Sequence, residues 1–186
     1  MKRVLKHALA WTVSLVILNS PSVSHAGIHQ VWDQGHVFKA ETLIEVEPIL
    51  QEIDARFYKD LMIETFASIP DDLKPMLARQ DKGQFYEGWC IAEGNELKVN
   101  GILILITREP RHLQVFVGLD TRKRAFTLAD RDELVNKLTN AFRAGNFDAG
   151  LIEGVKFVRD RMAKNMAEPA TTQASQPTTQ PANVSK

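Results

Sequence analysis

The stretch from Asn100 to Asp120, NGILILITREPRHLQVFVGLD, decides the fold because it contains two strand-length segments close together in the chain. Residues 102 to 106 form an unbroken apolar run, which is typical of a strand that is covered on both faces. Residues 112 to 117 place an apolar side chain at every second position on one face, as expected nearer the edge of a sheet. Arg108-Glu109-Pro110 is a turn signal between the two segments. The sequence therefore predicts a central sheet that contains an antiparallel pair of strands.

The residues before this hairpin predict a helix, a strand and a broken helical crossover. Apolar side chains recur at three- and four-residue spacing over residues 41 to 57, which predicts a helix that Pro48 kinks or splits. Residues 60 to 66 predict the first core strand. We expect this strand to run parallel to residues 102 to 106, because a long helical segment lies between them. Three glycines within residues 73 to 97 predict that this segment is not one continuous helix.

The residues after the hairpin predict two more helices. Thr127 and Asp130 form a capping-box pattern at the start of the first helix, and Gly145 ends it. A second amphipathic helix is expected from about Asp148 to Lys164. Helices on both sides of a small sheet with parallel and antiparallel neighbours make an α/β sandwich the predicted fold class.

The first 26 residues have the pattern of a secretory signal peptide. Three basic residues precede a short apolar stretch from Ala8 to Leu18, and Ser24-His25-Ala26 supplies a small-x-Ala cleavage site. A membrane anchor is the alternative, but a spanning helix needs about 20 apolar residues and this run is much shorter. We expect a secreted, periplasmic protein with an N-terminal arm at residues 27 to 40 and a domain at residues 41 to 164.

Charge and composition restrict the partners. The chain carries 23 basic and 23 acidic residues, and removal of residues 1 to 26 takes away three basic residues, which leaves a net charge of −3. An acidic protein is a poor binder of nucleic acid. Residues 165 to 186, rich in Thr, Gln, Pro and Ala, predict a disordered tail with no hydrophobic anchor. We therefore expect no membrane span after signal cleavage, and a monomer.

Side chains suited to hydrolysis are scarce. Ser68 is the only serine between residues 27 and 164, and no G-x-S-x-G motif surrounds it. The histidines, including His112 on a predicted strand, do not have the spacing of a zinc site. Cys90 is the only cysteine, so no intramolecular disulfide can form, and its place beside Trp89 in a helical pattern favours a buried thiol over a nucleophile.

Several segments taken in order resemble the TPM domain. They are Asp33, I-E-T-F at residues 63 to 66, F-Y-x-x-W at 85 to 89, N-G-I-L-I-L-I at 100 to 106, V-G-L-D at 117 to 120 and F-R-x-G-x-x-D-x-G-L at 142 to 151. The resemblance covers roughly Val31 to Met162. That family includes thylakoid-lumen photosystem-repair proteins, an acetylcholine-receptor modulator and many secreted bacterial proteins.

The resemblance implies a Rossmann-like α/β sandwich on the extracytoplasmic side, with a cleft in which acidic residues hold a divalent cation. It also implies phosphatase activity, which is ascribed to some plant members. The chain departs from the family where a G-x-G-x-E-like run is usual, because only Gly118 remains and Asp120 stands where the acid would be. The membrane segment and glycine-rich tail of many bacterial relatives are also missing.

Oxygen-bearing side chains near the predicted strands are the candidate cation ligands. Asp33, Asn100 and Asp120, with Asp148 as a further residue, offer the oxygen atoms that Ca²⁺ or Mg²⁺ prefers. The predicted topology brings Asn100 and Asp120 to the same edge of the sheet, and Asp33 would have to reach them from the arm. The alternative is that all three have local roles, in a turn, a cap and an Asx-turn.

We therefore expect a non-enzymatic binding or membrane-complex maintenance module that contacts a protein partner at or near the membrane. The cation site would make this binding depend on a divalent ion. The alternative function is a low-activity metal-assisted phosphatase that uses Asp33 and Asp120. The basic run at residues 122 to 124 fits a solvated loop, or else a contact for a phosphate or an acidic partner.

Overall fold

The computed structural model describes residues 31 to 167, which form a four-stranded sheet with helices on both faces. The strands are β1 (Val31–Asp33), β2 (Asp60–Ser68), β3 (Gly101–Glu109) and β4 (His112–Val117). The helices within this range are α1 (Ala40–Phe57), α2 (Lys74–Leu77), α3 (Lys82–Glu96), α4 (Leu119–Lys123), α5 (Leu128–Arg143) and α6 (Phe147–Ala167). This architecture confirms the predicted Rossmann-like α/β fold.

Two predictions fall beyond this range. The signal peptide at residues 1 to 26 and all but the first three residues of the predicted tail lie outside the described residues. Within residues 31 to 167, no helix combines the length and the apolar character that a membrane crossing requires.

The strands lie in the order β1-β2-β3-β4. Strands β1, β2 and β3 are parallel, with Asp60 opposite Gly101, and β4 is antiparallel to β3, with Val117 opposite Ile102. Both predicted pairings are therefore confirmed. Residues 102 to 106 of β3 are at most 5% exposed, because β3 has a neighbouring strand on each side and a helical layer on each face.

The two helical layers cover opposite faces of β3. Ile102, Ile104 and Ile106 pack in a core with α1, α5 and α6, whereas Leu103 and Leu105 pack in a second core with α3. Complete burial of one such side chain contributes roughly 1.5–3 kcal/mol. The unbroken apolar run is thus explained by burial on both sides of a pleated strand.

The two parallel crossovers have opposite hands. The connections from β1 to β2 and from β2 to β3 step in the same direction across the sheet, but α1 and α3 lie on opposite faces. Only one of them can have the right-handed sense that such connections almost always adopt. The chain therefore leaves β1 and β2 toward opposite faces of the sheet.

Helix α1 is more continuous than predicted, whereas the predicted break within residues 73 to 97 is confirmed, because α2 ends at Leu77 and α3 begins at Lys82. Helix α1 runs unbroken through Pro48, because the buried side chains on both sides of the proline hold it against the sheet. Helix α3 runs through all three of its glycines. Gly94 is required there, since a Cβ atom at this position would lie 2.8 Å from the ring of Phe116 on β4. Tertiary packing therefore overrides the local helix-breaking tendency in both cases.

Other boundaries differ because short elements depend on their neighbours. Residues 31 to 33, expected in the arm, form β1 and pair with Ile63–Thr65 of β2. Strand β3 continues through the turn signal to Glu109, and α4 occupies positions expected as a loop. Helix α6 extends to Ala167, beyond the predicted Lys164.

The predicted capping box is present and is tied to α6. Thr127 Oγ1 accepts a hydrogen bond from the Asp130 N–H at 3.2 Å, and Asp130 Oδ2 accepts one from the Thr127 N–H at 2.8 Å. Asp130 is 4% exposed, lies 3.0 Å from a guanidinium nitrogen of Arg161 and accepts from Asn165 Nδ2 at 2.9 Å. One carboxylate therefore joins the start of α5 to the end of α6.

Asp130→Ala should destabilise the domain, because Arg161 and Asn165 of α6 lose a buried partner and the capping box loses its hydrogen bond to the Thr127 N–H. The expected cost is about 1–3 kcal/mol, because Arg161 is partly exposed and keeps its ion pair with Glu133. Urea unfolding would measure this loss, with Asp132→Ala as the matched control. Asp132 is exposed and pairs only with neighbouring Arg131, so its removal should cost about 1 kcal/mol at most. Equal losses for the two variants would contradict the proposed role of Asp130.

Candidate functional site

Asn100 and Asp120 lie at the same end of the sheet, as predicted: Asn100 directly precedes β3 and Asp120 follows β4. The Gly118 N–H donates to the Gly101 carbonyl at 2.9 Å, and both predicted residues line one groove. An oxygen atom of each side chain already accepts a hydrogen bond from a lysine ammonium group. Lys59 donates to Asn100 Oδ1 at 2.9 Å, and Lys123 donates to Asp120 Oδ1 at 2.8 Å. The hydrogen bond and charge of Lys123 lower the pKa of the Asp120 carboxyl below its ordinary value.

Asp33 lies at the opposite end of the sheet. It is in register with Thr65, five residues along β2 from Asp60, which pairs with Gly101. At about 3.3 Å per residue this step corresponds to roughly 16 Å. Asp33 therefore does not reach Asn100 and Asp120, because β1 fixes it at the carboxyl ends of the parallel strands.

The carboxylate of Asp33 organises the loop that follows β1. It accepts hydrogen bonds from the N–H groups of Val37 at 2.9 Å and Phe38 at 3.0 Å, and from the Thr65 hydroxyl. Gly35 packs against Thr65, to whose hydroxyl its N–H donates at 2.9 Å. A Cβ atom on Gly35 would lie 2.9 Å from that hydroxyl oxygen, so the close approach requires glycine. This local role corresponds to the alternative that the sequence left open for Asp33.

Asp148 joins the start of α6 to the start of α1. Its carboxylate accepts from the Lys39 N–H at 2.9 Å and from the Thr42 hydroxyl at 2.7 Å, at the start of α1. These hydrogen bonds lower the pKa of Asp148. Across residues 31 to 167, no three side chains of the His, Cys, Asp and Glu types lie together in a way that suits a metal ion. Cation binding by Asp33, Asn100 and Asp120 stays a prediction, and the structure divides these residues between two ends of the sheet.

Glu64 is a buried carboxyl group that the sequence analysis did not single out. It lies in the middle of β2, is 1% exposed, and its Oε2 atom has no hydrogen-bond partner within the described range. The titratable groups that face it are Glu93 and Cys90 of α3. Burial, with a further contribution from the charge of Glu93, raises the pKa of Glu64 to about 7. A glutamate within the I-E-T-F segment of a predicted core strand could have indicated a buried carboxyl group. The sequence alone, however, does not show which face of β2 is covered by α3.

Cys90 and His112 have the environments that were predicted for them. Cys90 is 1% exposed, and burial raises the pKa of its thiol to about 12, so it is not a thiolate at neutral pH. His112 is half-buried on β4 and stacks on Tyr86 with ring centroids 3.7 Å apart. Burial lowers the pKa of His112, which favours the neutral imidazole. Neither side chain has the activated state that nucleophilic or general acid chemistry requires.

The outer edge of β4 carries backbone groups that no strand of the described range pairs with. Strand β4 ends the sheet, and no strand within residues 31 to 167 pairs with its outer side. In an antiparallel pair of strands, residues alternate between those whose backbone groups hydrogen-bond to the neighbouring strand and those whose groups point away from it. Because the Gly118 N–H hydrogen-bonds to the Gly101 carbonyl, the backbone groups of Phe116 and Gln114 also hydrogen-bond to β3. The N–H and C=O groups of Leu113, Val115 and Val117 therefore point away from β3 and have no partner strand within that range, although Val115 and Val117 are only 3% and 6% exposed because α3 and α5 flank this edge.

Two grooves border this edge. The α3 groove, of about 600 Å³, lies between α3 and the start of α5, and residues 114 to 118 line it. The hairpin groove, of about 730 Å³, lies between the β3–β4 turn and the end of α5, with His112 and Leu113 in its wall. Together the grooves follow β4 from its first residue to its last.

Comparison with protein families gives one match, to a model described as the TPM domain, over residues 31 to 161. These limits agree with the resemblance found in the sequence. Comparison with curated proteins finds no match.

Solved structures with a similar fold include proteins from three bacteria. The N-terminal domain of a P. gingivalis protein is 21% identical, with a TM-score of 0.55 over 77% of this chain and 87% of that one. The N-terminal domain of a Corynebacterium glutamicum protein is 13% identical, with a TM-score of 0.54 over 91% and 99%. The BA42 protein of Bizionia argentinensis is 16% identical, with a TM-score of 0.50 over 69% and 83%. At these identities the likeness concerns the fold alone.

The free energy of unfolding of the domain should decrease as the pH rises from about 4.5 to 7, because of Glu64. Its pKa in the folded protein is about 7, above its ordinary value of 4.5, so the folded state binds this proton more tightly. The contribution is fully present below pH 4.5 and is lost as the pH rises through 7, by about 3 kcal/mol. Glu64→Gln should remove this dependence in urea unfolding at several pH values. Exposed Glu153→Gln is the control and should retain it; parallel pH profiles for Glu64→Gln and the unmodified chain would contradict the assignment.

Proposed function

The chain belongs to the TPM-domain family, and from this premise we propose that it is a non-enzymatic binding module that acts outside the cytoplasm, at or near the membrane. The observation that carries the proposal is the unpaired edge of β4 between two grooves. A surface of this kind suits a polypeptide partner, whereas an enzyme needs reactive groups that converge beside a pocket. The signal-peptide pattern of residues 1 to 26 supports export.

We propose that the partner adds an extended segment to β4 as a further strand. An exposed strand edge presents rows of N–H and C=O groups that another chain can pair with. Natural proteins often protect such edges with lysine, proline or a bulge, but the sequence HLQVFV has neither lysine nor proline. The outward groups of Leu113, Val115 and Val117 would supply the hydrogen bonds, and the grooves would receive alternate side chains.

The alternative of a metal-assisted phosphatase has less support from the geometry. It was predicted to use Asp33 and Asp120, which stand at opposite ends of the sheet. Each carboxylate is already engaged, Asp33 with the loop after β1 and Asp120 with Lys123. We therefore retain the binding module as the proposed function.

Strand addition predicts a distinctive pattern of amide protection along β4. In the free protein the N–H groups of Gln114 and Phe116, which bond to β3, should exchange more slowly with solvent than those of Leu113, Val115 and Val117, which have no partner strand among residues 31 to 167. Millimolar amounts of a neutral peptide of alternating valine and threonine should slow the second set and leave the first unchanged. Nuclear magnetic resonance of the chain from residue 27 would resolve both sets, so alternate residues of one strand act as the control. Peptide-induced protection at β1 alone, or at neither edge, would refute strand addition at β4.

The predicted cation dependence can be tested with one substitution at each of the two ends of the sheet. An ion at Asn100 and Asp120 must displace the ammonium groups of Lys59 and Lys123, so we expect weak binding that needs millimolar Ca²⁺. A hundredfold excess over the dissociation constant stabilises the folded state by about 2.7 kcal/mol. Thermal melts in Ca²⁺ and in EDTA should show this rise for the unmodified chain and for Asp33→Ala, but not for Asp120→Ala.

Asp33→Ala should lower the melting midpoint equally with and without Ca²⁺, because it removes hydrogen bonds to the loop after β1. Loss of the Ca²⁺ effect in that variant would instead point to a site shared by both ends. If no ion shifts any midpoint, the cation role is to be abandoned.

A further inference from the structure

We propose that the segment taken up by β4 is acidic: an extended stretch of a partner protein that carries aspartate or glutamate side chains. This inference rests on the proposed strand addition and specifies the chemistry of the partner. It is drawn from the charges that border the β4 edge at both of its ends.

The hairpin groove is strongly basic. Arg108, Arg111 and Arg143 line it, with Glu109 as the one acidic side chain in its wall. Arg108 is anchored, since its Nη1 donates to the Gly35 carbonyl at 3.0 Å. Arg111 and Arg143 are exposed and form no ion pair with any carboxylate among residues 31 to 167. Two guanidinium groups are therefore available to a carboxylate beside the first residues of β4.

The α3 groove is basic once its internal pairs are considered. Lys98, Arg122 and Arg131 line it together with Glu87 and Asp120. The charge of Asp120 is balanced by Lys123 outside the groove wall, and that of Arg131 by the carboxylate of its neighbour in the chain. Lys98 and Arg122 have no such partner within the described residues. Glu87 offsets one of these two charges, so the α3 groove keeps a net charge of +1 and the hairpin groove one of +2.

This basic edge belongs to a chain whose net charge is −3 once residues 1 to 26 are removed. The positive charge is thus local to the edge and does not reflect the composition. Six residues of an extended strand span about 20 Å, so one added segment reaches from the hairpin groove to the α3 groove. Carboxylates near both ends of that segment would meet basic side chains at both ends of β4.

A second copy of this chain fits the edge poorly. Antiparallel pairing of two β4 strands about a twofold axis places the hairpin groove of one copy beside the α3 groove of the other. Both grooves are basic, so like charges would face each other at both ends of the shared sheet. The edge therefore favours an acidic partner over self-association.

The test compares two seven-residue peptides with blocked ends, one of alternating valine and aspartate and one of alternating valine and lysine. At 20 mM salt the acidic peptide should bind at least tenfold more tightly than the basic one by fluorescence anisotropy. The preference should shrink at 500 mM salt, because screening weakens interactions between exposed charges. The acidic peptide should also slow amide exchange at Leu113, Val115 and Val117.

The variant Arg111→Glu/Arg143→Glu should lose the preference for the acidic peptide by at least tenfold. Both residues are exposed, so the fold should be retained. The matched control is Arg56→Glu/Lys156→Glu, which changes the net charge equally on α1 and α6 and should keep the preference.

The remaining outcomes separate this inference from the proposed function. If the neutral or basic peptide protects the β4 amides as well as the acidic one, strand addition stands and the acidic preference is refuted. If the acidic peptide binds without protecting those amides, or if no peptide binds at millimolar concentration, both proposals fail. Protection that grows with protein concentration alone, with a doubling of mass, would identify a second copy as the occupant and overturn the inference.

Discussion

The burial of β3 on both faces is the constraint on which the rest of this structure depends. A strand with five successive apolar residues can be shielded from water only when a helical layer covers each side of the sheet. The chain meets this requirement with α1 on one face and α3 on the other, although the two crossovers then have opposite hands. Double coverage of the central strand therefore outweighs the usual preference for right-handed connections.

The same constraint decides where a partner can bind. Helices α3 and α5 contact β4 from opposite faces, so both faces of this strand contribute to the cores and only its edge lacks a partner within the described residues. An edge offers a row of backbone groups in place of a deep pocket, which suits a polypeptide better than a small substrate. The grooves that border the edge add side-chain specificity to this backbone recognition.

Most acidic side chains that could have formed a site instead stabilise the fold. Asp33 holds the loop after β1, Asp130 joins α5 to α6, and Asp148 binds the start of α1. Each accepts at least two hydrogen bonds from other parts of the chain. Glu64 is different, because it is buried with one unpaired oxygen and is stable there mainly while protonated.

The sequence by itself determined the features that depend on local pattern: the strands on either side of Pro110, the capping box at Thr127, the end of α5 at Gly145 and the α/β class. It also placed Asn100 and Asp120 at one edge, because strand direction follows from connection length. Only the tertiary structure decided the position of Asp33, since β1 is three residues long and takes its register from β2. The continuity of α1 and α3, the burial of Glu64 and the open edge of β4 likewise depend on contacts between distant residues, which periodicity in one chain segment cannot encode.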